Sequence, residues 1–474
     1  MKLTIIGGGI SGLSAAYHTL QKAPQTQITL LEASDRWGGK ITTDRVPYEG
    51  GHFIIEGGPD TFLATKPHGI ALCNALGLGQ RLHGTNPHHK NTYVLKRGQL
   101  LPLPDGLAMM IPSDIPSILR SRLISCPGKA RMGLDFLLPP RHSESDESLG
   151  AFISRRLGRE AYEALIEPLM SGIYAGDGDR LSLNATFPYL RDLERQHGSL
   201  ARGAILMRQK MSAGGQKVQG SRSAFLTPTT GLAEIVEALV NHLSAHGVQM
   251  RLHTTVTRLS QQNGHYLVDI ADSAPLMADT VILATPAPVS GSLLASLDPE
   301  LATVLQSIPY ASTATVSLAY RQRDLPRPLD GYGYVIPRRE GRRALACTWT
   351  STKFPHRAPE GFALLRVFIG RAGEEIPWEE QALADIAQEE LRLTLGITAP
   401  PLIQRVFLWE NAMPQYNLGH PEKLTAIETA LARHPKLALA GNGYRGIGIP
   451  DCIHSGQQAV ERILAFATHM PKVV

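Results

Sequence analysis

The residues most suited to chemistry lie near the N-terminus, where three glycines and one acid have a particular spacing. Gly7, Gly9 and Gly12 fit the pattern G-x-G-x-x-G, and Glu32 follows Gly12 by twenty residues. In such a pattern the glycines permit a tight turn and a close approach to a pyrophosphate, while the acid accepts ribose hydroxyls. The spacing predicts a dinucleotide site, and the alternative is a glycine-rich turn that is only structural.

Two strands and one helix must position these groups. Residues 2–6 form a short apolar strand that enters the glycines, residues 13–21 a helix, and residues 28–31 a strand that ends at Glu32. The N-terminus of the helix would face the phosphates with free N–H groups and a positive dipole end. Strand, glycines, helix, strand and acid occur in the register of a βαβ unit, which strengthens the prediction beyond the glycines alone.

The segment after Glu32 indicates which dinucleotide is bound. Residues 33–40 read ASDRWGGK and resemble the R-x-G-G continuation of FAD-binding oxidases related to the amine oxidases. In that continuation the glycine pair, here Gly38 and Gly39, lets the chain pass beside the FAD phosphates. The alternative is a loop with two turn glycines. We expect FAD, held without a covalent bond.

Composition limits the classes of function. A chain of 474 residues exceeds the size at which one core keeps growing, so two or three domains are expected. The net charge of +5 is diffuse and includes no basic run, so no nucleic-acid partner is expected. The mild positive excess suits an anionic small substrate or loose contact with an anionic membrane.

The spacing of the cysteines and the hydropathy of the chain indicate the cellular compartment of the protein. The four cysteines are scattered and form no C-x-x-C pair, which favours a reducing cytoplasm and predicts neither disulfides nor a zinc site. His88 and His89 lack further ligands at metal spacing, so no metal is expected. No signal peptide or spanning segment is recognised. Prolines and aspartates interrupt the apolar stretch 100–119, which we interpret as a lid over a substrate pocket or as a peripheral membrane contact.

The order of patterns along the chain predicts an α/β protein with a discontinuous Rossmann-like FAD-binding domain, a mixed α+β substrate domain and a helical insertion. The nucleotide domain would comprise residues 1–85, 220–295 and 411–474. Residues 86–215 are predicted to be the helical insertion, with helices at 149–157 and 161–170. Residues 296–410 are predicted to be the substrate domain, an antiparallel sheet with one helix at 378–395.

A second glycine cluster at residues 441–446 also fits G-x-G-x-x-G. No strand with a terminal acid follows it, so we interpret it as a loop that crosses the flavin of the first site. Asp451 is predicted to cap the final helix. The positive end of that helix would stabilise the anionic reduced flavin. The alternative is a capped helix after a glycine turn.

Four segments resemble one family. Residues 7–13, 56–60, 171–176 and 446–453 read GGGISGL, EGGPD, SGIYAG and GIGIPDCI. Together they resemble the oxygen-dependent protoporphyrinogen oxidases, which include bacterial coproporphyrinogen III oxidases, and the similarity runs over nearly the whole chain. The resemblance implies an FAD enzyme that removes six electrons from a porphyrinogen in three two-electron steps. Molecular oxygen would receive them and leave as hydrogen peroxide.

The resemblance also implies roles for single residues. The first turn and the acid would hold the ADP half of FAD, one valine would meet the adenine, and three later segments would line the flavin. These cofactor-binding residues are Gly7, Gly8, Gly9, Ile10, Ser11, Gly12, Glu32, Ala33, Gly39, Lys40, Gly58, Pro59, Asp60, Thr61, Val256, Trp409, Ile447, Gly448 and Ile449.

Two positions depart from the family pattern. Eukaryotic members carry arginine at the positions of Asp60 and Ser171, and those arginines are proposed partners of substrate carboxylates. Anchoring of the propionates must therefore be arranged differently here. Arg97, Arg338 and Arg366 are the candidates, although a solvated charged turn is an equal alternative for each.

Residues 331–338 and 346–349 look more like the bacterial coproporphyrinogen type. We therefore expect coproporphyrinogen III as substrate, with protoporphyrinogen IX as the first alternative. A related flavin amine oxidase or carotenoid desaturase comes next, and a non-enzymatic dinucleotide-binding protein last. No catalytic acid or base is named, because a flavin itself performs the hydride transfer.

Overall fold

Five parallel strands from three separated stretches of the chain form the sheet that carries the G-x-G-x-x-G turn. The computed structural model describes residues 1–108, 111–213 and 223–468. The strand order across this sheet is Gln249–Arg251, Gln27–Leu31, Lys2–Ile6, Thr280–Leu283 and Leu437–Leu439. Both faces of the central strand are buried, which explains its continuous apolar sequence. The predicted α/β class with a discontinuous Rossmann-like domain is confirmed.

Three helices form one hydrophobic core together with this sheet. Ile10–Lys22 packs between Ala233–Ala245 and Ile449–Thr468. A Cβ atom at Gly456 would lie 2.4 Å from the carbonyl oxygen of Ser11, so the first and last helices approach as closely as their backbones allow. This contact places the start of the last helix beside the glycine turn.

A second, separate sheet contains seven strands. Its order is Ile403–Pro414, Tyr310–Arg321, Phe362–Ile369, Ala344–Trp349, Gly331–Val335, Asn91–Lys96 and Gln99–Pro102. Leu365 and Val367 pack with the helix Glu380–Leu395, whereas Leu364 packs with Phe53 near the first domain. The sheet therefore has one face covered by its own helix and one face directed at the nucleotide-binding domain.

The region predicted as a helical insertion is helical only in its later part. Asn91–Lys96 and Gln99–Pro102 form a hairpin, and the first of these strands pairs in parallel with Gly331–Val335. The start of the insertion at residue 86 stays a prediction, although its first strand belongs to the seven-stranded sheet, because Asn91–Lys96 forms its parallel hydrogen bonds with Gly331–Val335. Residues 109–110 of the predicted lid, and the predicted boundaries at 215, 220 and 474, lie outside the described residues.

Helices follow from residue 115 onward and pack around a separate core. The helix predicted at 161–170 is longer and irregular: it contains a π-helical turn, Tyr162–Ile166, before Glu167–Tyr174. The other helices of this region are Ile115–Arg120, Cys126–Gly133, Leu149–Leu157, Arg159–Ala161, Leu183–Thr186, Pro188–His197 and Leu200–Ala213.

Shorter elements complete the description. The remaining helices are Pro67–Ala75, Ala287–Leu294, Pro299–Gln306, Thr350–Lys353 and His420–Leu431. The remaining strands are Thr43–Tyr48, Gly51–Glu56, Phe62–Leu63, Leu82–Gly84, Leu107–Ala108, Ile111–Pro112, Phe225–Pro228, Val256–Gln262, His265–Ile270 and Ser273–Ala278. Among the described residues, no helix combines the length and apolar composition needed to cross a membrane.

Two partly buried histidines should make the free energy of unfolding depend on pH. Burial lowers the pKa of His18 and of His356 to about 4. The unfolded chain, with a histidine pKa of about 6.5, then binds protons that the folded chain does not. Stability is full above about pH 6.5 and is lost as the pH falls toward 4, by about 1 kcal/mol per histidine at about pH 5 when solvent screening of these partly exposed rings is included. We expect a lower unfolding midpoint at about pH 5 than at about pH 7.

The variants His18→Gln and His356→Gln should flatten this dependence, because glutamine does not titrate. His88→Gln is the control, since His88 is exposed. A double variant whose unfolding midpoint falls with pH as steeply as that of the unaltered protein would contradict the assignment.

Candidate functional site

The glycine turn and Glu32 form one hydrogen-bonded unit. Gly7 has a φ of +109°, and its N–H donates to the carbonyl oxygen of Leu31 at 2.8 Å. The Glu32 carboxylate accepts the N–H of Gly8 at 2.6 Å and the N–H of Ser34 at 2.9 Å. These bonds hold the carboxylate at the end of its strand, where the fingerprint requires an acceptor for ribose hydroxyls.

Gly9 is a glycine that the protein's own packing does not require. Its φ of −70° and ψ of 175° suit any residue, and a Cβ atom there would lie 3.9 Å from its nearest neighbour, the Cα of Gly39. At Gly12, by contrast, a Cβ atom would lie 2.0 Å from the carbonyl oxygen of Gly7. A side chain at Gly9 would enter open space at the position where the fingerprint places the pyrophosphate, so the residues present fit a dinucleotide.

The R-x-G-G segment lies against this space. The Arg36 guanidinium donates to the carbonyl oxygens of Gly39 at 2.7 Å and Ile41 at 3.2 Å, which fixes the glycine pair. Lys40 follows directly, and its Nζ lies 6.0 Å from the ring centroid of Tyr310. Burial lowers the pKa of Lys40 to about 8, although the Cys452 thiol opposes this shift.

Val256, predicted at the adenine, lies beside Glu32. The N–H of Thr254 donates to the carbonyl oxygen of Glu32 at 2.8 Å, and the strand Val256–Gln262 begins two residues later. The Val256 side chain packs against a core that includes Leu31. Ala33 is exposed at the same edge.

The 57–61 loop connects the two sheets. A Cβ atom at Gly58 would lie 1.9 Å from the carbonyl oxygen of Lys40, so only glycine allows this approach. The carbonyl oxygen of Gly57 accepts hydrogen bonds from Thr315 Oγ1 at 2.9 Å and Trp409 Nε1 at 2.8 Å. Donors from the seven-stranded sheet thus hold a loop that lies against the cofactor space.

Asp60, within this loop, pairs with two cations that the sequence analysis did not identify. Its carboxylate accepts from Arg357 Nη1 at 2.5 Å and from Lys353 Nζ at 3.1 Å. Burial alone would raise the pKa of Asp60, but the positive charges of Arg357 and Lys353 outweigh burial and lower it. Arg357 also donates to Glu56 at 3.2 Å and to Thr227 at 2.7 Å. The signal available in the sequence was Asp60 itself, which departs from the family pattern described above.

The C-terminal motif meets the glycine turn at the start of the last helix. Ser14 Oγ donates to the carbonyl oxygen of Ile453 at 2.8 Å. The prediction that Asp451 is the N-cap is wrong, because the helix begins at Ile449 and Asp451 is its third residue. Its carboxylate instead accepts the N–H of Gly448 at 3.2 Å, as in a capping box, and pairs with Lys66 at 2.6 Å.

The three predicted substrate arginines are not brought together. Arg97 is exposed on a hairpin turn, with a φ of +50°. Arg338 lies in another turn, where its Nη1 is 3.4 Å from Glu374 Oε1. Arg366 is 2% exposed and donates to two carbonyl oxygens of the 57–61 loop. Of the three, Arg366 is the one with hydrogen bonds to that loop.

Comparisons with known proteins agree with this geometry. The family model described as flavin containing amine oxidoreductase matches residues 10–464. The chain belongs to this family. It is 38% identical to a coproporphyrinogen III oxidase of Bacillus subtilis (strain 168) and 33% identical to a protoporphyrinogen oxidase of Homo sapiens, with 98% of each chain covered in both comparisons.

A solved structure extends the family assignment to the fold. The crystal structure of a putative protoporphyrinogen oxidase from Exiguobacterium sp. 255-15 has a TM-score of 0.86 and 35% identity, covering 98% of this chain and 99% of that one. The family and this likeness, together with the open space at Gly9, identify FAD as the cofactor.

We expect the purified protein to be yellow and to release its FAD on acid precipitation. The warrant is the hydrogen-bonded dinucleotide site, which needs no covalent bond to the ring. The measurement is the absorbance spectrum of the supernatant and of the redissolved pellet, with chromatography of the extract. Flavin that stays with the pellet, or NAD in the extract, would contradict the expectation.

Gly9→Val should abolish FAD binding while the chain still folds in part. A branched side chain would fill the space that the pyrophosphate needs, whereas the backbone angles of Gly9 tolerate any residue. Gly133→Val is the matched control, because a Cβ atom there also has no close contact, with no atom within 4 Å. FAD content per protein and the unfolding midpoint are measured for both. Full FAD occupancy in Gly9→Val would refute the assignment of this turn.

Proposed function

We propose that the protein oxidises coproporphyrinogen III to coproporphyrin III in porphyrin and heme biosynthesis. Each of three steps removes two electrons and two protons, and three molecules of oxygen become three of hydrogen peroxide. The observation that carries the proposal is the 38% identity to a coproporphyrinogen III oxidase across 98% of both chains. Two further relatives of that name are 34% and 32% identical.

The bound flavin supplies the acceptor for each pair of electrons. The protein holds the cofactor and the substrate and provides the electrostatic environment of the flavin ring. The N–H groups at the start of the helix Ile449–Thr468 present a positive dipole end to the cofactor space, which favours negative charge on a reduced ring. The 57–61 loop and the facing strand Tyr310–Arg321 would position the substrate over the ring.

We assign cofactor contacts to residues from all three stretches that build the parallel sheet. The proposed FAD-binding residues are Gly7, Gly8, Gly9, Ile10, Ser11, Gly12, Glu32, Ala33, Gly39, Lys40, Gly58, Pro59, Asp60, Thr61, Val256, Trp409, Ile447, Gly448 and Ile449. Among the described residues, Arg366 donates to the two carbonyl oxygens of Gly57 and Gly58, so we assign it a positioning role.

Protoporphyrinogen IX is the alternative substrate. A protoporphyrinogen oxidase of Homo sapiens matches this chain at 33% identity over its whole length, close to the values for the other relatives. The solved structure with a TM-score of 0.86 is also described as a putative protoporphyrinogen oxidase. Coproporphyrinogen III carries four propionates rather than two, and the net charge of +5 suits the more anionic substrate.

We further propose that the protein works in the cytoplasm and contacts membranes only peripherally. Ile115, Leu119, Leu134 and Leu137 are exposed on neighbouring helical segments, and Leu137 is 79% exposed. Lys129 lies among them, because its Nζ donates to the carbonyl oxygen of Leu119 at 2.8 Å. An apolar surface with an adjacent cation suits loose contact with an anionic bilayer.

The comparison of kcat/KM for coproporphyrinogen III and protoporphyrinogen IX tests the substrate. We expect a clear preference for the tetracarboxylate, measured by porphyrin fluorescence under air at matched detergent and salt. Fractionation of the expressed protein is the second measurement, with most of it expected in the supernatant. A preference for protoporphyrinogen, or recovery mainly in the membrane pellet, would favour the alternative.

A further inference from the structure

The charges around Asp60 do not balance. Lys353, Arg357 and Arg366 supply three positive charges, and Glu56 and Asp60 supply two negative ones. One positive charge is left over when both carboxylates are ionised. Burial raises the pKa of Glu56, and its protonation would increase the excess.

Most of this positive charge is buried and incompletely hydrogen-bonded. Arg357 is 0% exposed and Arg366 is 2% exposed. Within the described residues, Nε of Arg357 and both Nε and Nη1 of Arg366 have no hydrogen-bond partner. Uncompensated positive charge inside a protein is costly, so a cluster of this kind is completed by an anion. The buried arginines cannot meet that anion themselves.

Lys353 is the cation of the cluster that reaches the surface. Its side chain is 16% exposed, and that of its partner Asp60 is 13% exposed. One ammonium hydrogen engages Asp60, and within the part of the chain that the structure describes the other two have no hydrogen-bond acceptor. A carboxylate could therefore bind Lys353 without displacing Asp60.

Aromatic rings flank this ammonium. Lys353 Nζ lies 5.6 Å from the ring centroid of Phe225 and 5.3 Å from that of Phe354. Phe225 is 42% exposed. An exposed ring beside a partly free cation suits a ligand that joins a carboxylate to a large apolar ring system.

We propose that Lys353 binds a carboxylate of the tetrapyrrole substrate and that Asp60 holds its ammonium in place. The substrate class rests on the proposed function, whereas the excess of positive charge does not. Asp60 is paired with two cations from the segment after the strand Ala344–Trp349. The net charge of the cluster is positive, and Lys353 presents it at the surface.

Equilibrium binding of porphyrins to the FAD-loaded protein tests this assignment. The probes are coproporphyrin III and its tetramethyl ester, which has the same ring but no charge, in the same detergent. Lys353→Met should weaken binding of the free acid by about tenfold or more, because a charge-assisted hydrogen bond is lost. Binding of the ester should not change. Lys353→Arg should retain the affinity of the free acid within about threefold, since it keeps the charge.

Lys90→Met is the matched control, because Lys90 is an exposed lysine outside the cluster. It should leave both affinities unchanged. Lys353→Gln is measured alongside Lys353→Met, and FAD content confirms that each variant has folded. In turnover, KM should rise by about the same factor as the dissociation constant with little change in kcat, because the carboxylate is bound alike in ground and transition states.

Unchanged affinity for the free acid in both Lys353→Met and Lys353→Gln would overturn the proposal, as would equal losses for acid and ester. Loss for the acid alone supports it, even if the unaltered protein fails to oxidise coproporphyrinogen III. That last result would refute the proposed reaction and leave the carboxylate site intact.

Discussion

The open space above Gly9 is the constraint on which the rest of the structure depends. The backbone there suits any residue, and a Cβ atom would meet nothing closer than 3.9 Å, so the glycine serves a ligand rather than the protein's packing. Two neighbouring segments also border this space without filling it. The Gly39 backbone passes beside it, held by Arg36, and Gly12 lets the first helix approach the turn. Three chain segments thus meet around the open space at Gly9, as a pyrophosphate site requires.

The 57–61 loop transmits this arrangement to the second sheet. Gly58 contacts the backbone of Lys40 on one side, while the carbonyl oxygen of Gly57 accepts from Thr315 and Trp409 on the other. Because that carbonyl has donors from two adjacent strands, the face of the seven-stranded sheet is set relative to the cofactor space. The seven-stranded sheet and the segment after the glycine turn are therefore joined through one loop.

Placing Asp60 in that loop has an electrostatic consequence. A buried carboxylate requires cations, and it has them in Lys353 and the fully buried Arg357. With Arg366, the cluster holds three cations against the two acids Asp60 and Glu56, so its net charge is positive. Arg357 also donates to Glu56 and Thr227, while its Nε has no hydrogen-bond partner among the described residues.

The sequence by itself determined the dinucleotide site, because Gly7, Gly9, Gly12 and Glu32 lie on one βαβ unit whose spacing defines its geometry. It also predicted the α/β class, since strand and helix periodicities are local. Only the tertiary structure decided that Arg357 meets Asp60, 297 residues away, and that Asn91–Lys96 pairs with Gly331–Val335. It also moved Asp451 from N-cap to third helical residue. Such contacts depend on how distant segments pack, which no local pattern contains.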